Sequence, residues 1–306
     1  MLFRSNNSIT ELAPESVVIL SVIGALASIS GTLGNSLVML AVFKSESLRS
    51  IPNFFISSLA FSDFTVCLVY LPLTIYGYNH PTSQVTEENS PFSIAKSFFG
   101  HCSLTASVTN MFAVTVDRVI AIRFPLKYPA IMTVKTALFA IVTVWFISLS
   151  FGSVYARISI SRFIILGYCF VLMLGTMSMY AYIFFIAKQQ ENKVHTLRSL
   201  HQPQIPAADQ QKAEKKAAKT IFTIVGIYAL CWLPLLLLPA IVNPSKNPVL
   251  LKKCLPWVQT VLSCNSALNP CVYCLRSHRY RRQFAKLLRI KGFEDIHSIT
   301  ASNTHH

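Results

Sequence analysis

Charge is scarce in this chain. Asp, Glu, Lys and Arg make up 13% of its 306 residues, against 53% hydrophobic. So little charge excludes a water-soluble domain with an ordinary polar surface. No HExxH or GxSxG pattern occurs, and no paired carboxylates lie inside an uncharged run, so hydrolase chemistry is excluded and the chain reads as no enzyme. The 8 cysteines include no CxxC pair in a polar loop, which argues against a zinc site. Seven of them sit in apolar runs and only Cys254 lies near a surface, so they are packing thiols rather than a disulfide framework. No repeat of 20–50 residues is visible, which excludes solenoids and inverted-repeat transporters. A cleavable signal peptide is also missing. The first apolar run is too long for one and follows Glu11 and Glu15, so it reads as a signal anchor.

What the chain has instead is seven runs almost free of charge. They cover 16–43, 50–86 (interrupted only by Asp63), 97–116, 136–156, 163–187, 220–245 and 254–275. About 20 apolar residues cross a bilayer core as a helix. The expected fold is an all-α membrane protein, a seven-transmembrane helix bundle over 17–275. Its spans fall at about 17–43, 52–78, 92–124, 135–156, 162–188, 212–242 and 255–275. Twenty of the 27 Lys and Arg lie in the first, third and fifth connections and the C-terminal segment. That bias places those connections in the cytoplasm and the N-tail, 1–16, outside. The basic clusters abut spans, so the net charge of +15 implies no nucleic-acid partner. Residues 277–290 put Tyr280, Phe284, Leu287 and Leu288 on one helical face with arginines and lysine around them. This predicts a short amphipathic eighth helix on the anionic inner leaflet, followed by a cytoplasmic tail, 291–306. Asn6 begins a sequon that would be glycosylated outside.

Polar groups inside the spans are the first functional clues. Asp63 is a carboxylate at mid-membrane depth, and such groups face a cavity or a partner. Asn35, Ser107, Asn265, Ser266 and Asn269 lie at comparable depth. They form either polar glue between helices or a site for a small cation, and both readings stand on residues alone. Pro72, Pro234 and Pro270 each remove a backbone hydrogen bond and bend a span. At the inner edge Asp117 precedes Arg118, and Glu214 begins span six. An Arg118–Glu214 link would close a cytoplasmic crevice, or it would be an exposed pair of little worth.

The ordered motifs resemble the rhodopsin-like (class A) G-protein-coupled receptors along nearly the whole chain. They are Gly34-Asn35, Leu59-Ala60-Phe61-Ser62-Asp63, Asp117-Arg118-Val119 and Phe124-Pro125-Leu126-Lys127-Tyr128. Trp145, Cys231-Trp232-Leu233-Pro234 and Asn269-Pro270-Cys271-Val272-Tyr273 complete the set. The resemblance implies a plasma-membrane receptor that passes an extracellular ligand signal to heterotrimeric G proteins by outward movement of span six. It assigns Asp63, Ser107, Asn265, Ser266 and Asn269 to an allosteric sodium pocket. It assigns Arg118 to G-protein contact, Glu214 to its inactive-state partner and Leu126 to an inserted plug. It also matches Trp232 to the tryptophan beneath the ligand, and Tyr180 and Tyr273 to tyrosines that swing inward on activation. No resident cofactor is implied. Ser298, Thr300, Ser302 and Thr304 would serve arrestin if phosphorylated. The alternatives are a non-signalling scaffold or decoy, which the intact Asp-Arg and Asn-Pro-x-x-Tyr elements oppose, and a transporter, which would need more ionisable groups at depth.

Departures narrow the group. Ser93 stands where most members carry the disulfide cysteine of span three, and Leu172 replaces the span-five proline. With a short second outer loop, these look like the melanocortin, cannabinoid, lysophospholipid and adenosine receptor group. Gly100 replaces the aspartate that holds amines. Leu73, Ser93 and Ser97 replace the acidic residues by which melanocortin receptors hold a basic peptide. The expected pocket, His101, Leu104, Thr105, Tyr168, Trp232, Leu235, Gln259 and Ser263, is largely apolar and suits a lipid-like or small neutral ligand.

Overall fold

The computed structural model describes residues 12–81, 90–157, 162–200, 226, 230–235, 237–238, 241–242 and 247–289. Asn6, Glu214 and the tail residues Ser298, Thr300, Ser302 and Thr304 lie outside the described residues. Long helices carry six of the expected spans. They are Pro14–Lys44, Ile51–Asn79, Pro91–Arg123, Val134–Arg157, Arg162–Leu200 and Pro248–Arg276, for spans one to five and span seven. Residues 230–235 are helical within span six. Helices are the solution the bilayer imposes, because each backbone group finds its partner within its own segment. Prolines sit in the first turn of spans one, two, three and seven, where a missing N–H costs nothing. The Ser90 hydroxyl caps span three by accepting from the Ser93 N–H at 3.1 Å.

Four described helices are long and apolar enough to cross a membrane on composition: Pro14–Lys44, Ile51–Asn79, Val134–Arg157 and Ile164–Ile186. Span three is less apolar for a structural reason. It is the central helix, packed against spans two, four and five. Its buried Ser103, Thr105, Ser107, Thr109, Asn110, Thr115 and Asp117 face protein rather than lipid. Span one shows the opposite pattern, with Val18, Leu26, Ile29, Leu33 and Phe43 exposed along its length. Span five runs on to Leu200, well past the expected end at 188. Residues 189–200 hold no Gly or Pro, so nothing stops the helix there.

Span two departs from α-geometry at Val66–Tyr70, where it makes one π-helical turn. The Leu71 N–H donates to the Val66 carbonyl, five residues back. The next donor in that register is Pro72, which has no N–H, so the Cys67 carbonyl loses its partner. The Ser28 hydroxyl of span one donates to it at 2.6 Å. Pro270 opens span seven in the same way and frees the Ser266 carbonyl four residues back. Asn35 Nδ2 donates to that carbonyl at 3.0 Å and to Gly31 O at 2.9 Å. Close approach makes this possible: a Cβ on Gly34 would lie 2.8 Å from the Pro270 ring. Span one is thus tied to spans two and seven at the two carbonyls their prolines release.

After span seven, Ser277 caps a helix over His278–Leu287 by accepting from the Tyr280 N–H. Tyr280 and Phe284 pack on Val38, Val42 and Leu48, while Arg279 and Arg282 are exposed. The Tyr280 hydroxyl donates to Asn53 Oδ1 at 3.1 Å, which anchors this helix to the start of span two.

Candidate functional site

Three layers of polar and aromatic groups are stacked down the bundle axis. The outermost is a cavity of about 400 Å³ between spans two, three, five, six and seven. Trp232, 2% exposed, closes it at depth, with Leu104, Ile165, Leu166, Leu235 and Leu262 as apolar walls. Of the expected pocket residues, His101, Leu104, Trp232, Leu235, Gln259 and Ser263 line it, and Thr105 and Tyr168 do not. On span three the lining falls at Ser93, Ser97, Gly100, Leu104 and Ser107, the spacing of one helical face. Thr105 lies about 100° round from Leu104 and is fully buried elsewhere. The Tyr168 hydroxyl is engaged with Thr109 Oγ1 at 2.8 Å, and its ring packs on Phe151 at 5.0 Å.

Spans three, four and five are joined at their outer ends through Tyr155. Its ring stacks on His101 at 4.7 Å, and its backbone carbonyl accepts from the Ser97 hydroxyl at 3.0 Å. Its own hydroxyl accepts from the Ile165 N–H at 3.1 Å, satisfying a donor in the first turn of span five. These contacts link the three spans without a disulfide, for which Ser93 supplies no thiol. Tyr155 carried no motif, so sequence reasoning passed over it.

The middle layer is built around Asp63, which is 0% exposed. Asn269 Nδ2 donates to its Oδ2 at 2.6 Å, and the Ser107 hydroxyl approaches Oδ1 at 3.5 Å. The Ser266 hydroxyl faces the same carboxylate. No ion pair to Asp63 occurs among the described residues. Ser107, Asn265 and Ser266 also line the lower part of the cavity, so the two layers are continuous. The carboxylate with the Ser107 and Ser266 hydroxyl oxygens beside it is a hard donor set of the kind a small cation takes.

The third layer lies at the C-terminal end of span three. Arg118 Nε donates to Asp117 Oδ2 at 2.9 Å, and its Nη2 bonds the same oxygen. The Tyr128 hydroxyl donates to Asp117 Oδ1 at 2.7 Å from the short inner helix Tyr128–Ile131. Both carboxylate oxygens are therefore engaged, and Asp117 is buried while Arg118 keeps 34% side-chain exposure. Burial raises Tyr128 to about 12, and its bond to Asp117 adds to the shift, so the phenol stays a donor. Two residues before it, Leu126 stands 96% exposed. Tyr180 is buried in span five, and Tyr273 stacks on Tyr280 at 5.9 Å. Pro234 and Pro270 both lie in helical segments, of span six and span seven.

The sequence profile of the 7 transmembrane receptor (rhodopsin family) matches residues 34–163 and 152–273. This chain belongs to that family. The receptor is 30% identical to human (Homo sapiens) melanocortin receptor 3 over 301 residues, covering 94% of this chain and 90% of that one. It is 29% identical to rat (Rattus norvegicus) melanocortin receptor 5 over 281 residues, with 85% and 81% covered. It is 26% identical to the rabbit (Oryctolagus cuniculus) alpha-1A adrenergic receptor over 334 residues, with 90% and 68% covered. The receptor is a rhodopsin-like seven-helix bundle related to the melanocortin group. It is a multi-pass plasma-membrane protein that signals through G proteins in response to an extracellular ligand, and it is not an enzyme.

Proposed function

We propose that the three layers form one switch with the N-terminus outside and the C-terminus in the cytoplasm. A ligand seated over Trp232 biases the outward movement of span six, and a G protein docks on Arg118 and on the projecting Leu126. The observation that carries this reading is the Asp117 clamp: a buried carboxylate holds Arg118 from one side and Tyr128 from the other. While Arg118 is so held, its guanidinium is committed to its own helix. Release frees a cation with five donors beside an exposed leucine, a ready surface for a protein partner.

The Asp63 layer sits between ligand and clamp. A sodium ion there would supply a positive charge to the buried carboxylate and favour the arrangement in which spans two, three and seven converge on it. Asp63, Ser107, Asn265, Ser266 and Asn269 are the residues that would hold it. The cavity suits a lipid-like ligand, because its walls are largely apolar. Arrestin would engage the phosphorylated tail, Asn6 would carry a glycan and Glu214 would meet Arg118, all at positions outside the described residues. The test is nucleotide exchange on purified G protein. Arg118→Ala abolishes it while surface expression persists, and undiminished exchange would refute the docking role.

A further inference from the structure

Lys96 is the residue that the apolar reading of the cavity leaves unexplained. It sits in the second turn of span three, on the cavity-lining face with Ser93, Ser97 and Gly100. Among the described lining residues it is the one Lys or Arg, and no Asp or Glu accompanies it. The ion pair found among the described residues is Arg118–Asp117, at the opposite end of the same helix. What faces the Lys96 ammonium is an aromatic ring: its Nζ lies 5.9 Å from the centroid of Tyr78. Tyr78 is itself fixed, since its hydroxyl lies 3.3 Å from both Thr260 Oγ1 and the Pro256 carbonyl of span seven. A ring face attracts a cation but carries no charge to neutralise it. A cation drawn into a low-dielectric site without a carboxylate leaves its desolvation largely uncompensated.

The cavity is also ordered along its length. Lys96, Ser93 and Ser97 occupy its outer end, and Leu104 and Trp232 its deep end. Lys96 and Leu104 are eight residues apart, or about 12 Å along the helix at 1.5 Å per residue. Charge at the mouth and hydrocarbon at the floor describe a mirror-image occupant. We propose that the receptor binds an anionic amphiphile, with its carboxylate or phosphate head on Lys96 and the hydroxyls of Ser93 and Ser97, and its apolar tail against Leu104 and Trp232. This rests on the cavity being the ligand site and replaces a neutral ligand with a charged one. On this proposal a basic peptide would be unsuited to the cavity, because the charge at its mouth has the wrong sign.

The test is thermal stabilisation of the purified full-length receptor in nanodiscs of zwitterionic lipid. Four probes share one chain: oleate, oleoyl lysophosphatidate, oleyl alcohol and oleylamine. Oleate or the lysophosphatidate, or both, should raise the melting temperature saturably, at concentrations at least about tenfold below those needed with the alcohol, and oleylamine should not. Oleate acting alone assigns a carboxylate head, and the lysophosphatidate acting alone a phosphate head. Lys96→Gln should remove the anionic preference, Lys96→Arg should keep it, and the exposed-site control Lys252→Gln should leave it unchanged. Equal action of alcohol and anions, or a preference that survives Lys96→Gln, would overturn the proposal. If Lys96→Gln does not fold, the Lys96→Arg variant and the probe comparison on the native protein still decide. Nucleotide exchange by the native receptor and by Arg118→Ala is read from the same preparations. Absence of anion selectivity with exchange that still depends on Arg118 sinks the ligand proposal alone, and exchange undiminished in Arg118→Ala sinks the switch beneath it.

Discussion

Tyr128→Phe removes one oxygen from the receptor and, with it, one of the two partners of Asp117. The lost bond is short, 2.7 Å, and its acceptor is a buried carboxylate. Hydrogen bonds to charged groups contribute about 1.5–3 kcal/mol, and a buried acceptor left alone costs a similar amount. Tyr128 is only partly buried, so water can reach the vacated position and the lower figure applies. If the clamp belongs to the resting state, that state is destabilised relative to the active one by about 1.5 kcal/mol. The on–off equilibrium then moves by about tenfold, since 1.4 kcal/mol is a factor of ten. The assay is agonist-free nucleotide exchange with purified receptor in nanodiscs at limiting receptor and saturating G protein, where the initial rate reports the active fraction. Tyr128→Phe should raise that rate about tenfold, provided the active fraction starts well below half. An unchanged or lower rate at equal folded receptor would refute the clamp as a resting-state lock. Because the Tyr128 hydroxyl is held up at about 12, above an ordinary tyrosine, the contribution is fully present below about pH 10 and is lost only as pH rises toward 12. Basal exchange over about pH 6–9 should therefore show no Tyr128-dependent step.

Asp63→Asn should eliminate any effect of sodium on agonist affinity, measured by competition binding in sodium against an inert organic cation; a preserved sodium effect would remove the ion from this layer. Asn35→Ala leaves the Ser266 carbonyl without its donor, and should lower stability by about 1–3 kcal/mol, read as a fall in melting temperature in detergent. Gly34→Ala forces a methyl to within 2.8 Å of Pro270 and should cost about 1–3 kcal/mol by the same measurement. Tyr155→Phe unties the Ile165 N–H and should speed ligand dissociation, followed by washout kinetics, with little change in agonist-free exchange.

Uncharged runs mark where a chain can enter lipid, and long described helices lie over those of spans one to five and seven, with span five running on to Leu200. Asp63 meets Asn269 and Ser107 between these helices. Which way a side chain turns about its helix was harder to read. Lipid is as apolar as the core, so a membrane helix need not show a polar outer face, and neighbours such as Leu104 and Thr105 cannot be told apart by composition. The same ambiguity put Tyr168 in the cavity when its hydroxyl bonds Thr109 instead. The π-turn escaped notice because it depends on the register between Cys67 and Pro72 and on a serine 39 residues away in sequence. Nothing in the sequence around Lys96 reveals that it lines the cavity over the ring of Tyr78.

The wide turn at Val66–Tyr70 has an effect beyond its own five residues. One surplus residue in a helix rotates everything outward of it by about 100° relative to an unbroken α-helix. Tyr78 lies on that outward portion, and Tyr70 closes the turn itself, where span three presses so closely that Gly100 has no room for a methyl. The aromatic surface that greets whatever enters from outside is thus set by a phase slip halfway down the second helix. Shortening that helix by a single residue there would turn this surface away from the entrance while leaving the inner half, with Asp63, where it stands.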